Sequence, residues 1–148
     1  MSGLTTPISS GQIKSSLNHY LLVQAAGTGN LDKIIKMVDE GYDYNWKHPQ
    51  AGYTSLHAAA GNGWSQVLNY LLMLPNIIYD PINATGRSPL HYAARIGHIP
   101  SINFLLDAGA NPHLLDNGGE TPILMAKRIG HKRAFLMLKE LEEKSDSF

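Results

Sequence analysis

The 148-residue sequence contains no cysteine. It can build neither a disulfide framework nor a thiolate metal site, and this absence fits a cytosolic or nuclear setting. An excess of one charge is missing too. Twelve Lys and Arg balance twelve Asp and Glu, for a formal charge of +0. General binding to nucleic acid or to an anionic membrane needs a basic field, so neither is expected of this chain. Long apolar runs are also lacking: none approaches the ~18 residues of a membrane span. The N-terminal stretch lacks the basic, apolar and small-residue order of a secretory signal. What remains is an ordinary composition, 43% hydrophobic. If compact, a chain of this length buries roughly two-thirds of its unfolded surface.

The positive signal is repetition. Arg87 to His98 reads RSPLHYAARIGH, and Tyr53 to Trp64, 34 residues earlier, reads YTSLHAAAGNGW. Glu120 to His131, 33 residues later, reads ETPILMAKRIGH, and a worn copy, HYLLVQAAGTGN, occupies His19 to Asn30. A period in the low thirties marks an array of stacked units rather than a globule around one cleft. Gly29, Gly63, Gly97 and Gly130 keep the same interval, each after a short Ala-rich segment. A glycine there supplies the left-handed conformation that ends one helix before the next begins. A second series, Gly41, Pro75 and Gly109, closes the second helix of each pair, with Pro75 departing from the glycine pattern and expected to end its helix differently. The last copy has no such breaker, so Ala134 to Lys144 is predicted to run on as a longer helix.

Helix starts agree. Thr54, Ser88 and Thr121 are N-cap residues at matching positions, with Pro89 and Pro122 in the first helical position. Tyr20 holds the cap position of the first copy and cannot serve, so that helix is expected to begin near Ser16 or Asn18. Paired alanines in the first helices (Ala25 and Ala26, Ala59 and Ala60, Ala93 and Ala94) let backbones come close. The second helices carry larger pairs, such as Leu71 with Leu72 and Leu105 with Leu106. Small inner and large outer residues bend a stack into a concave face. The long connections, Gly41 to Tyr53 and Gly109 to Glu120, suit projecting turns.

SPLHYAARIGH followed by FLLDAGANP resembles the ankyrin repeat, with its T-P-L-H box, its G-H after the first helix and its L-L-x-x-G-A before a finger loop. The resemblance covers about residues 16–144. It implies an all-α solenoid of helix-turn-helix pairs with projecting fingers and repeats at about 16–48, 49–83, 84–116 and 117–144. Residues 1–15 are then a flexible lead and 145–148 a frayed tail. The second copy has Ser55 for the box proline and Trp64 for the histidine; the fourth loses the box histidine to Leu124, and the first keeps almost none of the box. Such losses suit end caps. A tetratricopeptide array shares the period but has no such box.

Seven histidines raise the question of a metal. Stacked helices sit about 8–10 Å apart, whereas ligands converge on an ion at ~2 Å each, so register-equivalent histidines do not share one. In the resembled family the box histidines tie box to loop, which makes His57 and His91 structural here, alongside Gly63, Gly97 and Gly130. No metal or other cofactor is expected. Neither a nucleophile motif, a phosphate loop nor a paired-carboxylate constellation appears, so the chain is not expected to be an enzyme. Asn83-Ala84-Thr85 forms a glycosylation sequon that reads as a chance match.

The resemblance places partner contacts at the finger tips and on the exposed face of the first helices. Matching positions here are Tyr53, Arg87 and Glu120 beside the box, with Arg95, Ile96, Arg128 and Ile129 late in the first helices. Trp46, Tyr79 and His113 add to these from the fingers. Aromatics and arginines are the types that dominate interface energies. Arg87, Arg95 and Arg128 form a stripe that could fork onto carboxylates of a partner's acidic segment. The competing reading pairs these arginines with Glu120 and Asp116 inside the chain. Trp46 is expected to be exposed, and Trp64 to pack between helices. The last helix, basic at its start and acidic at its end, opposes its own dipole and reads as a solvated cap.

Together these features imply a non-catalytic protein-binding module (an adaptor, escort or inhibitor), monomeric when free. One alternative is an inhibitor resembling the four-repeat cyclin-dependent kinase inhibitors. Another is a small-ligand-binding protein or enzyme using the concave groove.

Overall fold

A computed structural model describes residues 10–146. It contains α1 (Ser10–Thr28), α2 (Leu31–Asp39), α3 (Ser55–Gly61), α4 (Ser65–Leu72), α5 (Pro89–Ile96), α6 (Ile99–Asp107), α7 (Pro122–Ile129) and α8 (Lys132–Asp146), with no strand among the described residues. Odd-numbered helices form an inner row, α1 against α3, α3 against α5 and α5 against α7. Even-numbered helices back them as an outer row.

The inner row packs closely because its contact residues are alanines. Ala26, Ala59, Ala60, Ala93, Ala94 and Ala126 are wholly excluded from solvent. Larger side chains from the outer row, including Ile34, Leu68, Leu71, Ile102, Leu105 and Leu138, close the interior. Burial of this kind stabilises by about 25 cal/mol per Å² of apolar surface, shared between neighbours rather than gathered within one repeat.

Caps set the start of each inner helix. Thr54 and Ser88 accept from the backbone N–H of His57 and His91. Each imidazole returns the bond, its Nδ1 accepting from the N–H of Thr54 (3.2 Å) or Ser88 (3.1 Å). This is a capping box with histidine in the place that Glu or Gln more often fills. At Leu124 the return bond is lost and only Thr121 caps. The end-cap reading follows directly: Leu124 and Lys127, which replace a box histidine and a stacking alanine, are exposed because no further described helix covers them.

Two expectations need correction. The first helix begins at Ser10, not Ser16 or Asn18. Residues 10–15 of the expected lead are therefore helical, since no proline lies between Ser10 and Thr28 to stop the helix. The remainder of the lead, residues 1–9, lies outside the described residues. At the other end α8 runs to Asp146, into the expected tail; residues 147–148 lie outside the description. Pro75 departs from the glycine pattern as expected: it does not supply the turn that Gly41 and Gly109 make with positive φ. The α4 helix ends at Leu72, and Asn76 takes the left-handed conformation (φ 61).

Candidate protein-binding face

Each finger is a small closed loop organised by one side chain. Asn83 Oδ1 accepts from the N–H of Thr85 and Arg87, both at 3.0 Å. Asp116 Oδ1 accepts from Gly118 (3.0 Å) and Glu120 (2.8 Å). In the first finger an imidazole does the same work, His48 Nδ1 accepting from Gln50 (3.3 Å) and Ala51 (3.1 Å). Neighbouring fingers are joined by backbone bonds, Ala84 N–H to Ala51 O (2.9 Å) and Asn117 N–H to Thr85 O (3.0 Å).

Gly86 sits where two fingers meet. Its φ is +77, and a Cβ there would lie 2.7 Å from the backbone N of Asn117. Gly86→Ala is therefore expected to cost about 2 kcal/mol or more, left-handed strain and a backbone clash together. Gly119→Ala carries similar strain but meets nothing within 4 Å, and should cost about half as much. Urea denaturation of the two variants measures the difference; equal losses would mean that finger stacking is slack.

The box histidines bind finger to helix across repeats. His57 Nε2 donates to Arg87 O (2.8 Å) and His91 Nε2 to Glu120 O (2.9 Å). With Nδ1 accepting and Nε2 donating, both rings are neutral and neither has a lone pair left for a metal. Burial drives the His57 pKa down to about 4, against the opposing pull of the Arg87 carbonyl. His91 is lowered for the same reason, opposed by the Glu120 carbonyl. Among the described residues no three His, Asp or Glu side chains form a group that could hold an ion.

Beside these histidines lies an aromatic row that faces the fingers. Tyr53 stacks on His57 with centroids 5.3 Å apart, and Tyr92 meets both rings edge-on at 5.7 and 5.5 Å. Burial raises the Tyr53 pKa, with a further rise from Tyr92 and a pull downward from Arg95. The Tyr92 hydroxyl accepts from Asn83 Nδ2 (2.8 Å). Asn83 is itself buried, so its amide nitrogen is engaged inside the fold rather than presented for glycosylation. The Arg95 guanidinium lies 5.9 Å from the centre of the Tyr92 ring, within cation–π range.

The stripe of three arginines is divided by its own carboxylates. Arg87 Nε bonds Asp116 Oδ2 at 3.2 Å, and Arg128 Nε bonds both Glu120 oxygens at 2.7 and 3.0 Å. The Arg128 bond holds the Glu120 carboxyl below its ordinary value. Asp116 is also lowered: burial pushes it up, but the Glu120 N–H and Arg87 outweigh that. Arg95 is exposed and forms no ion pair among the described residues.

Other expected contact residues fall in different environments. Ile96 and Ile129 are exposed at matching positions on α5 and α7. Tyr79 is exposed, with its ring over Gly109, and His113 is exposed with Nδ1 3.5 Å from Glu142 Oε1. Trp46 corrects an expectation. It is half-buried, its ring centroid 6.3 Å from His19, 6.5 Å from Tyr20 and 6.0 Å from His48. Trp64 packs between helices and stays 44% exposed: its Nε1 donates to Gly27 O (2.8 Å) while its ring covers Gly29. His131 repeats that geometry over Gly97, bonding Arg95 O (2.8 Å). The sequence reading missed Tyr92 and the finger-organising roles of His48, Asn83 and Asp116. The turns they close are local, with N–H groups two to four residues on; what the sequence did not show is that Asn83 also bonds the Tyr92 hydroxyl and Asp116 the Arg87 guanidinium.

A scaffold of paired helices, boxed histidines and stacked fingers has a counterpart among known families. A family model described as ankyrin repeats in three copies matches residues 22–116, and one described as ankyrin repeats in many copies matches 97–138. The chain belongs to the ankyrin repeat family. An ankyrin repeat protein of Rickettsia bellii is 29% identical over 131 residues, 87% of this chain and 71% of that protein. SH3 and multiple ankyrin repeat domains protein 1 of Homo sapiens is 31% identical over 117 residues, 79% of this chain but 5% of that protein. Human palmitoyltransferase ZDHHC13 is 29% identical over 105 residues, 71% of this chain and 17% of the enzyme. The chain thus spans a small fraction of these two human relatives. Ankyrin repeats indicate a protein–protein interaction module, and the repeat domain is a non-catalytic interaction fold. No described helix is long and apolar enough to cross a membrane.

Proposed function

We propose that this ankyrin repeat protein is a non-catalytic adaptor, escort or inhibitor, monomeric when free and resident in the cytosol or nucleus. It captures a partner protein on its finger tips and inner-helix face, with Arg95 as the contact for a carboxylate in an acidic segment. The supporting observation is the contrast among the three arginines: Arg87 and Arg128 each hold a carboxylate, while Arg95 holds none and rests over Tyr92. A guanidinium fixed on an aromatic face and lacking a counter-charge suits two-pronged carboxylate recognition. Exposed Ile96 and Ile129 flank the arginines late in their helices and supply apolar contact area.

Arg95→Glu tests this. The position is exposed, so folding stability should change by no more than about 0.5 kcal/mol. Capture of the native partner should weaken at least tenfold, about 1.4 kcal/mol. Affinity enrichment from cells with both baits, followed by titration calorimetry on enriched proteins, gives the readout. Equal capture by wild type and variant would remove Arg95 from the interface.

A further inference from the structure

The outer row carries a groove that the finger face does not use. It opens between α6 and α8, has a volume of about 550 Å³ and takes its apolar lining from Ile99, Leu136 and Met137. Lys132 and Arg133 stand at one end and Glu140 at the other. Two departures from the repeat set this groove apart. At the interval of the Gly29, Gly63, Gly97 and Gly130 series, Leu136 corresponds to Asn103 in α6 and Asn69 in α4. The outward face of a surface helix is ordinarily polar, yet Leu136 is 47% exposed. By the same interval Arg133 corresponds to Asp32, which lies in the first turn of α2 and suits the positive end of that helix dipole. The first turn of α8 has no acidic residue and begins with two cations. Neither cation forms an ion pair among the described residues.

From this geometry we propose that the α6–α8 groove is a second docking surface, which takes an acidic amphipathic helix from another protein. The apolar side of that helix lies on Ile99, Leu136 and Met137, and its carboxylates reach Lys132 and Arg133. Charge decides both the occupant and its direction. The two cations and the N-terminal end of the α8 dipole add to one local positive field, and a guanidinium takes a carboxylate two-pronged. With Glu140 at the far end, the field changes sign along the groove. A helix running antiparallel to α8 brings its own negative C-terminal end to the cations. From Lys132 to Glu140 the α8 axis rises about 12 Å, roughly two turns. That is the spacing of the apolar anchors in helix-in-groove recognition. Arg95 belongs to the inner row and this groove to the outer, so a helix docked here leaves the finger face open. The chain then bridges two proteins, which goes beyond the single capture surface proposed above.

The probe is a fluorescein-labelled, alanine-based helical peptide of about 15 residues, with leucines at one-turn spacing and glutamates grouped in its C-terminal half. Fluorescence anisotropy with the intact chain should show saturable binding that weakens as salt is added. Lys132→Glu combined with Arg133→Glu should weaken it at least about tenfold. Leu136→Asn, which installs the residue of the inner repeats, should weaken it severalfold. All three positions are exposed, so circular dichroism should report unchanged helix content; if Leu136→Asn loosens the fold, the charge reversal alone decides. A peptide with lysine in place of glutamate should not bind. Arg95→Glu should leave the affinity for the acidic peptide unchanged, so failure here leaves the finger-face reading standing. The inference is overturned by any of three results: no saturable binding of the acidic peptide, binding that survives the charge reversal, or binding lost in Arg95→Glu instead. Sedimentation that revealed a dimer of the free chain, dissolved by Leu136→Asn, would also overturn it by giving the groove to a second copy.

Discussion

Between pH 7 and pH 4 the folded protein is expected to lose about 3 kcal/mol of stability at His57 alone. The His57 pKa drops from 6.5 to about 4 on folding, chiefly because the ring is buried. Below pH 6.5 the unfolded chain binds a proton that the folded chain refuses, so stability falls with pH. The loss levels off near pH 4, where the folded ring takes up its own proton. His91 is shifted in the same direction and adds to the slope. Asp80 acts in the opposite sense: burial raises its carboxyl, against an Asn111 N–H bond, so its early protonation in the folded state offsets part of the loss. Asp116 and Glu120, both lowered, begin to give up their contributions as pH enters the ordinary carboxylate range and lose the rest at still lower pH. Urea denaturation midpoints across the range provide the measurement. The double variant His57→Gln, His91→Gln keeps a side chain able to complete the capping box but cannot titrate. It should show a much flatter profile; an unchanged slope would assign the acid sensitivity elsewhere.

Leu105→Ala carries the second large effect. Leu105 is fully buried in α6, in the third of four repeats. Truncation removes transfer free energy and leaves a cavity, together about 2–5 kcal/mol. In a stack, each repeat is stable only through its neighbours, so damage in an inner repeat should weaken the whole chain rather than shed one end. Leu124→Lys is the contrast. Leu124 is 46% exposed, and its replacement should cost no more than about 0.5 kcal/mol. Thermal and urea unfolding would separate the two. Comparable losses would mean that α7 is covered by something the described residues do not include.

The positions that make these predictions possible were not equally readable. Thr54, Ser88 and Thr121 announce their helices because capping is satisfied within three residues. The alanine pairs announce the inner row because close backbone approach demands small side chains wherever it recurs. The Gly29, Gly63, Gly97 and Gly130 series fixes the phase of the repeats for the same local reason. Arg95, by contrast, looks no different from Arg128 in the motifs ARIGH and KRIGH. Only the fold shows that Arg128 has Glu120 within bonding distance while Arg95 rests on Tyr92.

What the sequence by itself determined was the repeat, its period, the order of inner and outer helices and the degenerate ends. Each is written in contacts that span a few residues and recur in register. The tertiary structure alone decided which charges are neutralised and that Trp46 packs into a ring cluster. Those outcomes depend largely on groups one repeat away. Arg87 and Asp116 are 29 residues apart, and His19 and Asp43 are 24 apart. The chain brings such pairs together only after the helices have stacked.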